Sequence, residues 1–215
     1  LAACALALPF YSAQASPAIY GVGGQAGTLG IGPDLNIGFN RFFSLDIGLN
    51  AFNRSYTGIN SGINYDFSVR LRSGHLLANI YPLAGIFHLS TGIVSNGNEF
   101  DLKGTPTNGS YTINNQQYTF AEVGTLDGKI AFPGVAYYIG LGWGLSYNPG
   151  SHWGFSFDLG GLYQGVPSLA LSMNGTLSNN PILKKNLAAQ QAKTQNDIRS
   201  YRWWPVVSFG LYFKF

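Results

Sequence analysis

Trp203-Trp204-Pro205-Val206-Val207-Ser208-Phe209-Gly210-Leu211-Tyr212-Phe213-Lys214-Phe215 is the stretch whose alternation decides the fold. Successive side chains of a strand point to opposite faces. Trp203, Pro205, Val207, Phe209, Leu211, Phe213 and Phe215 share one face; Trp204, Val206, Ser208, Gly210, Tyr212 and Lys214, with Arg202 before them, share the other. An oily face set against a mixed one is what a barrel wall needs between lipid and a narrow lumen. A soluble sandwich can also bury one oily face, but it seldom finishes on that face with an aromatic residue.

The same alternation recurs upstream. Phe43, Leu45, Ile47, Leu49 and Ala51 oppose Ser44, Asp46, Gly48 and Asn50. Val135, Tyr137, Ile139, Leu141, Trp143 and Leu145 oppose Ala136, Tyr138, Gly140, Gly142 and Gly144. Trp153, Phe155, Phe157 and Leu159 oppose Gly154, Ser156, Asp158 and Gly160. Segments near 31–39, 63–71 and 87–93 follow suit, and a weaker one covers Pro17 to Gln25. The expected fold is all-β: an eight-stranded antiparallel up-and-down transmembrane β-barrel with two long external loops, one containing a short helix.

An even count puts both termini on one side, expected to be periplasmic. Short turns are expected at Asn40–Phe42, Pro82–Gly85 and Asn148–His152, and external connections at about 26–30, 53–62, 97–132 and 166–200. Between Leu71 and Leu76 the apolar set moves from odd to even positions, with Leu76, Ala78 and Ile80 beyond Ser73-Gly74. A β-bulge at Ser73-Gly74 would re-aim the side chains in this way. Two strands meeting there would break the even count.

Composition agrees. Only 10% of the 215 residues are charged, against about 25% in soluble domains. The mean hydropathy of +0.07 shows apolar residues dispersed among small and polar ones, a texture of strands and not of membrane helices. The long apolar run Leu1–Tyr11 leads into Ser12-Ala13-Gln14-Ala15, with small residues where a signal peptidase reads. Residues 1–15 are therefore expected to be the remnant of a secretory signal and 16–215 one barrel domain. The sole Cys4 lies in that remnant, which leaves no disulfide to expect. Leu1-Ala2-Ala3-Cys4 also has the look of a lipoprotein box, although apolar residues continue after it. A net charge of +3 without basic runs among aromatics argues against nucleic acid as a partner.

Phe209, Leu211, Phe213 and Phe215 resemble the terminal signal by which outer-membrane barrels engage their assembly machinery. Asn79-Ile80-Tyr81-Pro82, Tyr138–Gly144, Gly154–Gly165 and Trp204-Pro205-Val206-Val207 resemble a group of proteobacterial outer-membrane barrels allied to the OmpA, OmpW and opacity-protein barrels. The resemblance implies an outer-membrane location and barrel architecture without implying an activity.

Eight strands enclose a lumen that side chains can fill. The inward set reads Asp34, Asp46, Asp66, Arg70, Arg72, Tyr138, Asp158, Gln164, Arg202, Tyr212 and Lys214. Acids and bases together suggest a plug of ion pairs and hydrogen bonds. A narrow channel or a small-ligand barrel is the alternative, kept open by the many inward glycines.

Outside the barrel, Ser110–Ile113 and Gln117–Phe120 flank Asn114-Asn115-Gln116 as a hairpin. Pro181 to about Ser200 reads as a helix with Pro at its start. Lys184, Lys185, Lys193 and Arg199 make this helix basic and suggest contact with lipopolysaccharide phosphates; a lid on the barrel mouth is the structural alternative. Outer-membrane lipid, lipopolysaccharide and the assembly machinery are the expected partners, with a monomer favoured.

A catalytic centre is not expected, nor is a cofactor. His88 and Ser90 share a face, as the nucleophile and base of a lipid A-modifying enzyme would, a remote alternative; but they sit on the lumen side near a short periplasmic turn, away from the outer leaflet, with no acid evident to orient His88. His75 and His152 look isolated, without a carboxylate at ligand spacing. Gly21-Val22-Gly23-Gly24 lacks the Lys-Ser/Thr of a phosphate loop.

Overall fold

The computed structural model describes residues 19–60, 63–106, 110–144 and 152–215. The expected signal remnant with Cys4, the start of the first strand at Pro17, and most of the turn at Asn148–His152 lie outside the described residues. In chain order the elements are β1 (Ile19–Gly27), β2 (Gly30–Asn40), β3 (Phe43–Asn60), β4 (Ile63–Ile80), β5 (Phe87–Asn96), β6 (Glu99–Pro106), β7 (Ser110–Ile113) and β8 (Gln116–Thr119). They continue with α1 (Phe120–Val123), β9 (Leu126–Ala131), β10 (Val135–Gly144), β11 (Trp153–Tyr163), β12 (Ser168–Met173), α2 (Pro181–Ile198) and β13 (Trp203–Lys214).

Eight of these strands close a ring. β1 to β5 pair in sequence, β5 pairs with β10, β10 with β11, β11 with β13, and β13 returns to β1, all antiparallel. Closure leaves no free strand edge in the wall, which lipid would not tolerate. The wall's outward residues include Ile31, Leu49, Ile93, Ile139, Phe155, Phe209 and Leu211, all more than a third exposed. An apolar belt of that extent belongs in lipid. No helix among the described residues is long and apolar enough to cross a membrane.

Strand length marks where the membrane ends. Six wall strands run 9 to 12 residues, matching the roughly 9–11 a tilted strand needs to span the bilayer. β3 and β4 run 18 each, so their outer halves stand clear of the wall.

No bulge occurs at Ser73-Gly74. β3 and β4 stay in one register from Phe43↔Ile80 to Asn60↔Ile63, and β5 and β6 pair with β4 in continuous register as well. The side chains keep their faces; what changes is the surroundings. Within the wall, Leu76, Ala78 and Ile80 face lipid while Ser73, His75 and Asn79 face the lumen. Beyond it, Ile63, Tyr65, Phe67 and Val69 continue the inner face and turn under a folded cap, where Phe67 stacks on Phe100 and Phe100 on Trp204. Asp66, Ser68, Arg70 and Arg72 continue the lipid-facing side into water. The polarity reversal therefore records passage from lipid to water along one unbroken strand.

The two expected long connections fold into a platform that caps the barrel. β6, β9 and β12 add antiparallel strands to the outer half of β4. β7 and β8 form the expected hairpin on Asn114 and Asn115, whose φ values of 48° and 63° suit a two-residue turn that follows strand twist. α2 begins at Asn180, whose side chain accepts from the Ile182 and Leu183 amides, with Pro181 at the first turn where its missing N–H costs nothing. Tyr111, Ile113, Val123, Leu183 and Leu187 pack as the platform's own core. Burying each of the two leucines stabilises it by roughly 2 kcal/mol.

α2 also covers the platform's open edge. Gln195 accepts from the Leu169 N–H at 2.7 Å and donates to the Pro167 carbonyl at 2.7 Å. Gln191, one turn away, accepts from the Leu171 N–H at 3.3 Å and donates to the Leu169 carbonyl at 2.9 Å. Two side-chain amides thus stand in for a further strand along β12.

Candidate functional site

The lumen is layered. Toward the platform, Leu29, Val94, Ala136, Tyr138, Leu162 and Val206 pack together, with Leu77 and Trp204 against them. Toward the short turns the inward residues are polar. Between the layers lies a cavity of about 30 Å³ bordered by Asp46, Asn50, His75, Asn79, Tyr138 and Asp158. That is room for one or two waters. The volume vacated by inward glycines is filled from within: a Cβ on Gly140 would lie 2.3 Å from the Tyr138 hydroxyl, and one on Gly210 2.5 Å from the Tyr212 ring.

The polar layer is organised by two bridges of the same design. Asp34 on β2, Gly48 on β3 and His75 on β4 stand in register, as do Asp158 on β11, Gly142 on β10 and His88 on β5. In each, the imidazole reaches across a glycine strand to a carboxylate two strands away. His75 Nε2 lies 2.9 Å from Asp34 Oδ2, and His88 Nε2 lies 2.8 Å from Asp158 Oδ1. The glycines are required by this approach. A Cβ on Gly48 would fall 2.1 Å from Asp34 Oδ2, and one on Gly142 2.2 Å from Asp158 Oδ1.

Neighbours hold the bridges in place. The Tyr212 hydroxyl donates to Asp34 Oδ1 at 3.1 Å, and the Asn50 amide lies 3.4 Å from His75 Nδ1. The His88 ring is tilted on Tyr81, with centroids 5.1 Å apart. Asp46 joins the first bridge: one ligand atom each of Asp34, Asp46 and His75 lies within 4.8 Å of the others.

The structure redistributes the expected interior set. Asp34, Asp46, Tyr138, Asp158, Gln164, Tyr212 and Lys214 line the lumen side of the wall. Gln164 lies at the platform end, 3.5 Å from the Asn96 amide. Arg202 precedes β13 at the mouth and donates from Nε to the Arg199 carbonyl at 3.1 Å. Asp66, Arg70 and Arg72 are not interior. They stand on the platform's outer face, where Arg70 pairs with Asp101 and, at 3.1 Å, with Glu99. Their misplacement follows from the missing bulge.

The histidines also differ from expectation. His75 is not isolated, and an acid, Asp158, does orient His88. Ser90 shares the lumen face with His88, but its hydroxyl donates to Asn79 Oδ1 at 2.7 Å. Neither His–Asp pair is visible in linear spacing, since each joins strands far apart in sequence. The available signal was the pair of inward glycines, Gly48 and Gly142, flanked by polar inward positions.

Phe209, Leu211, Phe213 and Phe215 all lie exposed on the lipid-facing side. Of the basic set, Lys184 and Lys185 lie near the β7–β8 hairpin, where Asn186 donates to Gln116 at 2.7 Å. Arg199 lies at the other end, beside the mouth, about 22 Å away at 1.5 Å per helical residue.

No protein-family model matches the chain, and no curated protein matches it. Among solved structures it is similar to two from Acinetobacter baumannii. CarO2 is 26% identical with a TM-score of 0.62, over 92% of this chain and 98% of that one. CarO is 25% identical with a TM-score of 0.59, over 91% and 97%. Coverage that wide takes in the platform as well as the barrel.

Proposed function

We propose that the chain is an integral outer-membrane β-barrel protein with a structural or surface-interaction role, a side-chain-filled lumen, and a platform that presents the interacting surface. The observation that carries this reading is the lumen's apolar layer above a water-sized cavity. The likeness to CarO2 and CarO supports it at the level of the barrel. The platform lies outside the cell in this reading, with the short turns and both termini periplasmic. Its outer face offers a recess bordered by Asp66, Asp101, Lys103, Asp127 and Lys129, charges of both signs suited to a polar partner.

Single-channel recording in planar bilayers tests the filled lumen. No discrete openings are expected; reproducible openings would sink the reading. The alternative, a narrow channel or small-ligand barrel, rests on the cavity beside Asp46 and Asp158 and requires the Val94, Leu162 and Val206 layer to part. No catalytic step belongs to the proposal, since the Ser90 hydroxyl donates to Asn79 and not to His88.

Lipopolysaccharide contact is narrowed to the mouth end of α2. Arg199 lies at the mouth end of α2 with Lys193 on the same half of the helix, whereas Lys184 and Lys185 lie toward the β7–β8 hairpin. Lys193→Gln with Arg199→Gln is expected to weaken lipopolysaccharide association, and Lys184→Gln with Lys185→Gln to leave it unchanged. The outward face of β13 is proposed to engage the assembly machinery during biogenesis, and the barrel to act as a monomer.

A further inference from the structure

We propose that Asp34, Asp46 and His75 form a site for one divalent transition-metal ion of the zinc type inside the barrel wall. The polar layer holds three carboxylates, Asp34, Asp46 and Asp158, and two imidazoles, each already engaged with one acid. Even with both histidines protonated, Asp46 has no cation in contact, because Lys214, the remaining lumen cation, forms no ion pair with Asp34 or Asp46. Among the described residues, the ion pairs made by Lys and Arg all lie on the platform, none with Asp34 or Asp46. Two carboxylates held together away from bulk water need a proton or a cation between them.

Geometry favours the cation. Asp34 Oδ2 and Asp46 Oδ1 are both buried and neither accepts from an N–H or a hydroxyl, so only a proton shared between the two carboxyls would otherwise supply a donor. His75 Nε2 approaches Asp34 Oδ2 to 2.9 Å without the alignment of a hydrogen bond. Two lone-pair atoms that close and not aimed at one another fit a common third atom. Gly48 keeps the space between them clear, since a Cβ there would lie 2.4 Å from His75 Cε1.

The supporting contacts resemble those around metal ligands. The Tyr212 hydroxyl holds the second oxygen of Asp34, and the Asn50 amide lies beside His75 Nδ1. The Gln25 amide nitrogen lies 3.3 Å from His75 Nε2, so its oxygen, after an amide flip, can serve as a fourth donor. The cavity reaches both Asp46 and His75, giving space for a bound water. Two carboxylate oxygens and one imidazole nitrogen suit Zn²⁺, Co²⁺ or Mn²⁺ better than a soft ion such as Cu⁺. The ion's two charges would balance Asp34 and Asp46 and leave His75 a neutral ligand.

The test uses the full chain in detergent micelles, stripped with a chelator and then titrated with Zn²⁺ and, separately, Co²⁺. One ion per chain, a higher melting temperature, and Co²⁺ ligand-field bands in the visible are expected. Asp46→Asn and His75→Gln should each lose at least tenfold in Zn²⁺ affinity, while His88→Gln, on the other bridge, retains it. No Co²⁺ ligand-field bands from the unaltered protein would overturn the site even if the variants fail to fold. Unchanged affinity in both variants would place the ion elsewhere and overturn it too. So would an Asp46→Asn protein more stable than the parent with no bound ion, the signature of a shared proton.

Discussion

At the residue scale the lumen is built by subtraction. Gly48 and Gly142 matter for the side chain they lack, because each His–Asp bridge passes over one of them. Gly142→Ala is expected to separate His88 from Asp158 and cost about 1–3 kcal/mol, the usual range for overpacking. Gly58→Ala, where a Cβ would meet nothing within 4 Å, is the control. Denaturant unfolding of the micellar protein reads both. On the outer side, Leu141→Arg should cost about 2–4 kcal/mol, since a charge at mid-membrane depth loses its water. On the platform, the Thr119 backbone N–H and then its hydroxyl hold the Glu122 carboxyl below the ordinary range. A depressed folded pKa means the cap is fully stabilised at neutral pH and weakens as pH falls through that depressed value. Amide exchange at Thr119 should accordingly quicken in strong acid, and Glu122→Gln should remove the pH dependence. These residues were readable only in part: parity placed Asp34, Asp46 and Asp158 inward, but which histidine each meets depends on strands two apart.

At the element scale, α2 does for β12 what another strand would do. Replacing Gln191 and Gln195 with Leu leaves the Leu169 and Leu171 amides without acceptors, a loss of about 1 kcal/mol for each bond. Hydrogen exchange should accelerate at those two amides while wall strands such as β11 stay protected; unchanged exchange at Leu169 would falsify the edge role. The helix and the hairpin were legible beforehand because Asn180-Pro181 and Asn114-Asn115 carry their own local signals. β6, β9 and β12 were not. Glu99-Phe100-Asp101-Leu102-Lys103 alternates like a strand, yet its apolar residues face the cap and its charges face water, the reverse of the wall. Only the register with β4 says which medium lies on each side.

At the scale of the whole molecule, one barrel lies in two solvents, and the polarity of β4 reverses at the boundary without any irregularity in its backbone. Tryptophan reports this arrangement: Trp143, Trp153 and Trp203 face outward, whereas Trp204 turns inward against the lumen layer. Brominated lipid should therefore quench most of the fluorescence, and the lipid-quenched part should survive Trp204→Phe but shrink in Trp203→Phe. The sequence by itself determined the barrel, because alternation is a property of neighbours along one strand and the lipid-facing half must be apolar wherever it occurs. Tertiary structure alone decided the platform, the position of Arg70 outside the lumen and the joining of Asp34 to His75 and Asp158 to His88. Those depend on register and closure, which bring His88 to Asp158 across 70 positions and Tyr212 to Asp34 across 178 and which no local pattern encodes.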